Sequence, residues 1–105
     1  MINIEQYEIP DSPGVYIFRN LKNRVIYVGK AINLKNRVKS YFQRFEALAP
    51  KTQALVEKIE KFEFIKVENE IEALLLEADL IKRYKPPYNI SLKDDKFYKY
   101  IKIES

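Results

Sequence analysis

The chain has 105 residues, 19 Lys and Arg against 15 Asp and Glu, no Cys and no His. That length allows one domain with a single modest core, and a 47% hydrophobic, 32% charged composition is that of a soluble globular chain. Disulfides, thiolate zinc sites and histidine chemistry are excluded, so proton transfer falls to Tyr, Lys or carboxylates and any metal must be one that prefers oxygen ligands. No apolar run is long enough to span a bilayer and the N-terminus carries no signal-peptide pattern, so a cytoplasmic protein with no membrane partner is expected. The isolated domain is expected to be a monomer.

The first elements form a near-palindrome, "GVYIFRNLKNRVIYVG", residues 14–29, which holds the only two glycines of the chain. Residues 15–19 and 25–28 are rich in Val, Ile, Tyr and Phe and read as strands. Asn20-Leu21-Lys22-Asn23 reads as a four-residue turn between them, giving an antiparallel hairpin. If paired residue numbers sum to 43, Gly14 faces Gly29 and Tyr16 faces Tyr27, which sets two phenols side by side. A glycine near each phenol would let a backbone or a ligand approach closely.

Asn33 then caps a helix whose Leu34, Val38, Phe42 and Phe45 recur at helical spacing, with Arg37 at the border of that stripe. A second helix is expected from about 51 to 61, with Leu55, Ile59 and Phe62 on one face. "FEFIKVE" alternates and reads as a third strand. Asn69 begins a further helix with Glu72 in a capping-box position, running to about Tyr84, where Pro86-Pro87 ends it. "KFYKYIKIE", residues 96–104, alternates again and reads as a short edge strand.

Charge is unevenly spread. Between Asp11 and Glu46 there is no acid, only Arg19, Lys22, Arg24, Lys30, Lys35, Arg37, Lys39 and Arg44. Residues 46–81 are acidic, and the tail from Lys82 is basic again. A block of one sign in a folded domain is either an uneven solvated surface or a footprint for a polyanion such as nucleic acid.

Within the last helix Glu77 has Leu74, Leu80 and Ile81 as its helical neighbours, a setting that should hold its carboxylate out of solvent. A carboxylate so placed is either half of a structural ion pair or a metal ligand. Tyr16 and Tyr27 are either packing residues with wet hydroxyls or acid–base groups. The second role needs a cation to lower a phenol from about 10, and Lys30 and Arg37 are the candidates. "KRYKPPYN", with Lys82, Arg83, Lys85 and Asn89, is either a cation-rich helix end or a phosphate and base contact. Asn89 either caps locally or holds a site residue through its amide.

Together these residues resemble the GIY-YIG nuclease superfamily. The two triplets are Gly14-Val15-Tyr16 and Tyr27-Val28-Gly29, each with Val where the family has Ile. Arg37, Glu77 and Asn89 follow in the family's order. Within the superfamily the chain is similar to the N-terminal nuclease domain of the UvrC family, through "SPGVYIFRN", "VIYVGKAINLKNRVKSYF" and "EALLLEADLIKRYKPPYNISLKDDKFYKYIKI". The resemblance implies an α/β (α+β) fold with a small three-stranded antiparallel sheet flanked by helices. It implies a metal-dependent phosphodiesterase that cuts DNA on the 3′ side of a lesion, acting with UvrB in nucleotide excision repair. It further implies that residues 1–105 are the endonuclease domain of a longer protein. On this resemblance Glu77 holds Mg²⁺ or Mn²⁺, and Tyr16 or Tyr27 takes a proton from the attacking water, Tyr16 being favoured. Lys30 lowers the phenol pKa or contacts phosphate, Arg37 neutralises the phosphoryl oxygens and Asn89 orients this shell. DNA is expected along Lys30, Lys35, Arg37, Lys39, Arg44, Lys82, Arg83 and Lys85. A binding module without catalysis and a protein-interaction domain are the alternative readings.

Overall fold

A computed structural model of the chain, described over residues 2–90, is built on a three-stranded antiparallel sheet in the order β2-β1-β3. The strands are β1 (Gly14–Arg19), β2 (Val25–Ala31) and β3 (Lys61–Lys66). The helices are α1 (Leu34–Gln43), α2 (Pro50–Lys58) and α3 (Glu70–Tyr84), with short 3₁₀ turns at Ile4–Gln6 and Phe45–Ala47. The segment read from sequence as an edge strand, residues 96–104, lies outside the described residues.

Strand alternation divides the core in two. Tyr16, Phe18 and Tyr27 face α1 and α2 and pack with Leu34, Val38, Tyr41, Leu55 and Val56. Val15, Ile17 and Val28 face α3 and pack with Ala73 and Leu80. The caps follow the sequence. The Asn33 side chain accepts from the Asn36 amide at 3.0 Å, and the Asn69 side chain accepts from the Glu72 amide at 2.9 Å. Glu72 returns a carboxylate oxygen to the amide of Glu68 at 2.7 Å, one residue before the box pattern would have it. The second helix is shorter than expected. It stops at Lys58, Ile59 caps it, and Phe62 belongs to β3.

The hairpin differs from the sequence expectation in register. Gly14 pairs with Ala31, Tyr16 with Gly29 and Phe18 with Tyr27, so paired numbers sum to 45. The cause is the loop. Asn20 gathers the amides of Lys22 and Arg24 onto its side-chain oxygen, both at 3.0 Å, and Asn23 takes a left-handed backbone at φ 66°. Arg24 therefore belongs to the loop, residues 20–24, and a bulge between Phe18 and Arg19 absorbs the remaining mismatch.

This register explains both glycines, neither of which has a positive φ. A Cβ on Gly29 would fall within the ring of Tyr16, 2.7 Å from Cε2 and nearer still to Cζ and the hydroxyl. A Cβ on Gly14 would lie 2.5 Å from the carbonyl oxygen of Ile65 and 2.5 Å from Leu34 Cδ1. Each glycine serves as an absence of side chain, one under a phenol and one between the sheet and α1. Overpacking of this kind costs about 1–3 kcal/mol. We expect Gly29→Ala to lower the melting temperature by about 10 °C in a thermal scan, and to disturb Tyr16 before any other residue of the core. An alanine variant that melts with the parent would show that the ring is not seated on Gly29.

Candidate active site

Tyr16 lies on the central strand and is 1% exposed. Its ring covers Gly29, and its hydroxyl meets two residues of α1. Tyr41 shares a hydrogen bond with it, oxygen to oxygen at 2.8 Å, and Arg37 Nε donates to it at 3.3 Å. The Arg37 guanidinium also stands over the Tyr41 ring, 5.5 Å from its centre. Tyr27 completes the group, with ring centres 6.2 Å from Tyr16 and 6.5 Å from Tyr41. Phe18 backs all three, its ring 5.3 Å from Tyr16, 6.3 Å from Tyr27 and 5.4 Å from Tyr41. The cluster is therefore three phenols on an apolar floor with one guanidinium at its rim.

Tyr41 was not anticipated from the sequence, which put Phe42 on the buried stripe. The helix buries Leu34, Val38 and Tyr41, and Phe42 is only half-buried. A signal was present: 34, 38 and 41 follow the helical period more closely than 34, 38 and 42.

Burial sets the state of the phenols. Tyr16 is pushed well above the usual phenol range, first by desolvation and then by the neighbouring phenols, against a smaller opposing pull from Arg37. Tyr27 moves the same way, again chiefly by desolvation, with Tyr41 and Glu77 adding to it and Arg37 opposing. Arg37 is held more firmly as a cation, chiefly by Tyr16. Arg37 pulls both phenols down, as expected of a neighbouring cation, but in the protein alone desolvation outweighs it.

Lys30 does not stand beside the phenols. It pairs with Val15, so alternation sends it to the α3 side of the sheet, where it is exposed. Arg37 is the cation that acts on both tyrosines. Glu77 is 7% exposed and lies in the row Ala73, Glu77, Leu80 that α3 turns toward the sheet. Its burial comes from that packing and not from Leu74, which is 50% exposed. The influence of Glu77 on Tyr27 puts the carboxylate within electrostatic reach of the phenol cluster. Among the described residues no three of His, Cys, Asp and Glu come together, so Glu77 is not part of a multi-carboxylate metal cluster. A hard divalent ion held there would complete its shell from water and substrate oxygens.

Asn89 is 4% exposed and sits in a helical turn, residues 87–90, that follows Pro86. Its amide nitrogen donates to the Val28 carbonyl and its oxygen accepts from the Val28 N–H, each at 2.8 Å. It thereby completes the outer edge of β2 between Tyr27 and Gly29. This is the second of the two roles open from sequence, with backbone as the thing held. Lys85 makes the geometry possible. It caps α3 in a left-handed conformation, φ 46°, and turns the chain back toward β2.

The remaining cations are divided. Lys82, Arg83 and Lys85 are exposed at the end of α3, with Arg83 3.7 Å from Asp79, and Arg44 is exposed at the end of α1. Lys35 and Lys39 leave α1 on the flank away from Arg37 and border a groove against the N-terminal segment. No helix of the described residues is long and apolar enough to cross a membrane.

Comparison with known proteins agrees with this geometry. The sequence model of the UvrC-like GIY-YIG domain matches residues 12–90. The UvrABC system protein C of Carboxydothermus hydrogenoformans is 61% identical over 95 residues, 90% of this chain and 16% of that protein. That of Ruminiclostridium cellulolyticum is 56% identical over 102 residues, 97% of this chain and 17% of that protein. The chain thus spans about one-sixth of the length of these relatives. The crystal structure of the GIY-YIG N-terminal endonuclease domain of UvrC from Thermotoga maritima, bound to its catalytic divalent cation, magnesium, superimposes with a TM-score of 0.70 at 47% identity, covering 77% of this chain and 86% of that one. A tyrosine-to-phenylalanine variant of that domain, bound to its catalytic divalent cation, gives a TM-score of 0.70 at 46% identity over the same shares.

The raised phenol of Tyr16 has a consequence for stability. Its folded-state pKa exceeds the unfolded value of about 10, so the stabilising contribution is complete below pH 10 and is lost as pH rises toward the folded value. We expect the melting temperature to fall above about pH 10, and to fall less steeply in Tyr16→Phe, which cannot ionise. Parallel melts of parent and variant between pH 8 and about 11 test this; equal slopes would remove Tyr16 as the cause.

Proposed function

The chain belongs to the UvrC-like GIY-YIG domain family, and from that premise we propose that it is a divalent-metal-dependent endodeoxyribonuclease that hydrolyses one phosphodiester bond of DNA. The observation that supports this most is the arrangement itself: a hydrogen-bonded line from Arg37 through Tyr16 to Tyr41, with a buried Glu77 in electrostatic reach of the neighbouring Tyr27. The donor set suits Mg²⁺ or Mn²⁺. Every candidate ligand is oxygen, and the one carboxylate is already withdrawn from water. Glu77 would hold the ion, which when bound supplies Lewis-acid stabilisation of the scissile phosphate and its leaving oxygen.

The chain's own groups supply the rest. Tyr16, having given up its own proton to solvent when the site is filled, takes the proton from the attacking water and returns to the neutral phenol; before that transfer Tyr41, 2.8 Å away, donates to the Tyr16 phenolate. Arg37 lends positive charge to that phenolate and, being open to solvent on its other side, to the non-bridging oxygens of the phosphate. Tyr27 positions the water from the same face. Asn89 fixes the backbone between Tyr27 and Gly29, and so the distance between the two phenols. Lys30 serves the phosphate on the α3 side and not the phenols. Lys35, Lys39, Arg44, Lys82, Arg83 and Lys85 hold flanking DNA.

In the wider setting we place this chain as the nuclease unit that makes the 3′ incision in nucleotide excision repair, within a longer UvrC-like polypeptide and with UvrB as partner in the cytoplasm. The UvrABC system named for its relatives supports that setting.

Glu77→Gln tests the reading on one variant. Wild type should nick supercoiled plasmid with Mg²⁺ and stop on addition of EDTA, and the variant should lose about 100-fold or more of that rate. Its melting temperature should hold, because a neutral amide relieves the cost of a buried charge. If the carboxylate instead served a structural ion pair, the variant would lose about 3 kcal/mol of stability and keep nicking.

A further inference from the structure

Lys35 and Lys39, placed above on flanking DNA, form one wall of a groove on the far flank of α1. It is open, with a volume of about 610 Å³, and is bounded by the N-terminal segment, α1 and the end of β3. Lys35 and Lys39 stand one turn apart on its α1 wall, and Lys66, the last residue of β3, closes it below. Tyr7 and Phe64 offer ring surface within it. Both are partly buried, and Phe62 holds them from behind, its ring 5.2 Å from Tyr7 and 5.8 Å from Phe64.

We propose that this groove binds a single strand of DNA flanking the scissile bond, with phosphates on Lys35, Lys39 and Lys66 and bases stacked on Tyr7 and Phe64. The proposal rests on the nuclease reading above. Three observations carry it. The chemistry is that of single-strand sites, cations along a trough with aromatic faces between them. The acids of the groove, Glu5 and Glu8, both come from the N-terminal segment, so only the α1 and β3 sides are cationic. A duplex, with two phosphate backbones, would set one of them against those carboxylates; a single strand need not. Finally, the groove opens at the end of the sheet where Gly14 pairs with Lys66 on one side and Ala31 on the other. That is two residues, about 7 Å, from Tyr16 along β1, so the groove borders the strand that carries the site tyrosine.

Fluorescence anisotropy with a labelled 15-nucleotide single strand and the matching duplex, in EDTA so that no cleavage occurs, tests this on the full chain. The variant is Lys35→Ala/Lys39→Ala/Lys66→Ala, and a charge-matched control is Lys51→Ala/Lys58→Ala/Lys61→Ala. The groove variant should bind the single strand about tenfold more weakly at low salt, and the slope of log affinity against log salt should shrink by about 2. The duplex should lose less affinity than the single strand, and the control should change neither. An unchanged salt slope, an equal loss on duplex, or an equal loss in the control would each overturn the assignment. Plasmid nicking by the wild type decides the nuclease reading independently, so a failure of one is not read as a failure of the other.

Discussion

The seat of the Tyr16 ring on Gly29 is the contact on which the rest of the structure turns. It fixes β2 against β1 at a pair where a side chain on one strand occupies the space a Cβ would need on the other. It also sends the Tyr16 hydroxyl beyond the strand to α1, where Tyr41 and Arg37 receive it. Gly14 does the same two residues away on the same face of β1, admitting Leu34 against the strand. The chain spends its only glycines on proximity and not on unusual backbone, which it assigns instead to Asn23 and Lys85.

Two devices hold the outer strand in place. β2 is an edge of the sheet, and an edge strand has backbone groups with no ladder partner. At Val28 the Asn89 amide supplies both missing partners, acting as a fragment of a fourth strand. The clamp falls at Val28, between Tyr27 and the glycine that seats Tyr16. The left-handed cap at Lys85 and the prolines after it bring Asn89 back there. A structural motif at the end of α3 is thereby a positioning device for the phenols.

Much of this was legible from residue order, and what was not has identifiable causes. The caps at Asn33 and Asn69 were plain because a helix start is a local matter. The hairpin register was misjudged because Asn20 draws in one more residue than a four-residue turn would hold. The conclusion that Tyr16 and Tyr27 share a face nevertheless survives. Moving the pairing sum from 43 to 45 is a slip of two, and two residues restore the same side of a strand. A slip of one would have separated the phenols. Lys30 shows the reverse case: adjacent to Gly29 in sequence, it is across the sheet in space. Asn89 and Val28 lie 61 residues apart, and no local pattern announces such a pairing. Glu77 was expected to be buried and is, but the sheet covers it and Leu74 does not.

The same burial that secures the core determines when the proposed base can act. A phenol seated on glycine, 1% exposed and bounded by two more phenols, stays protonated at neutral pH, and Arg37 alone does not overcome that. More positive charge has to arrive before Tyr16 can give up its proton, and the reacting complex is where such charge is gathered. A solvent-exposed phenol would ionise more easily but would be a weaker base and an unfixed one. On the proposed role of Tyr16, keeping it neutral until the site is filled makes water activation depend on correct assembly. The hydrogen bonds from Tyr41 and Arg37 are then already in place for the anion that forms.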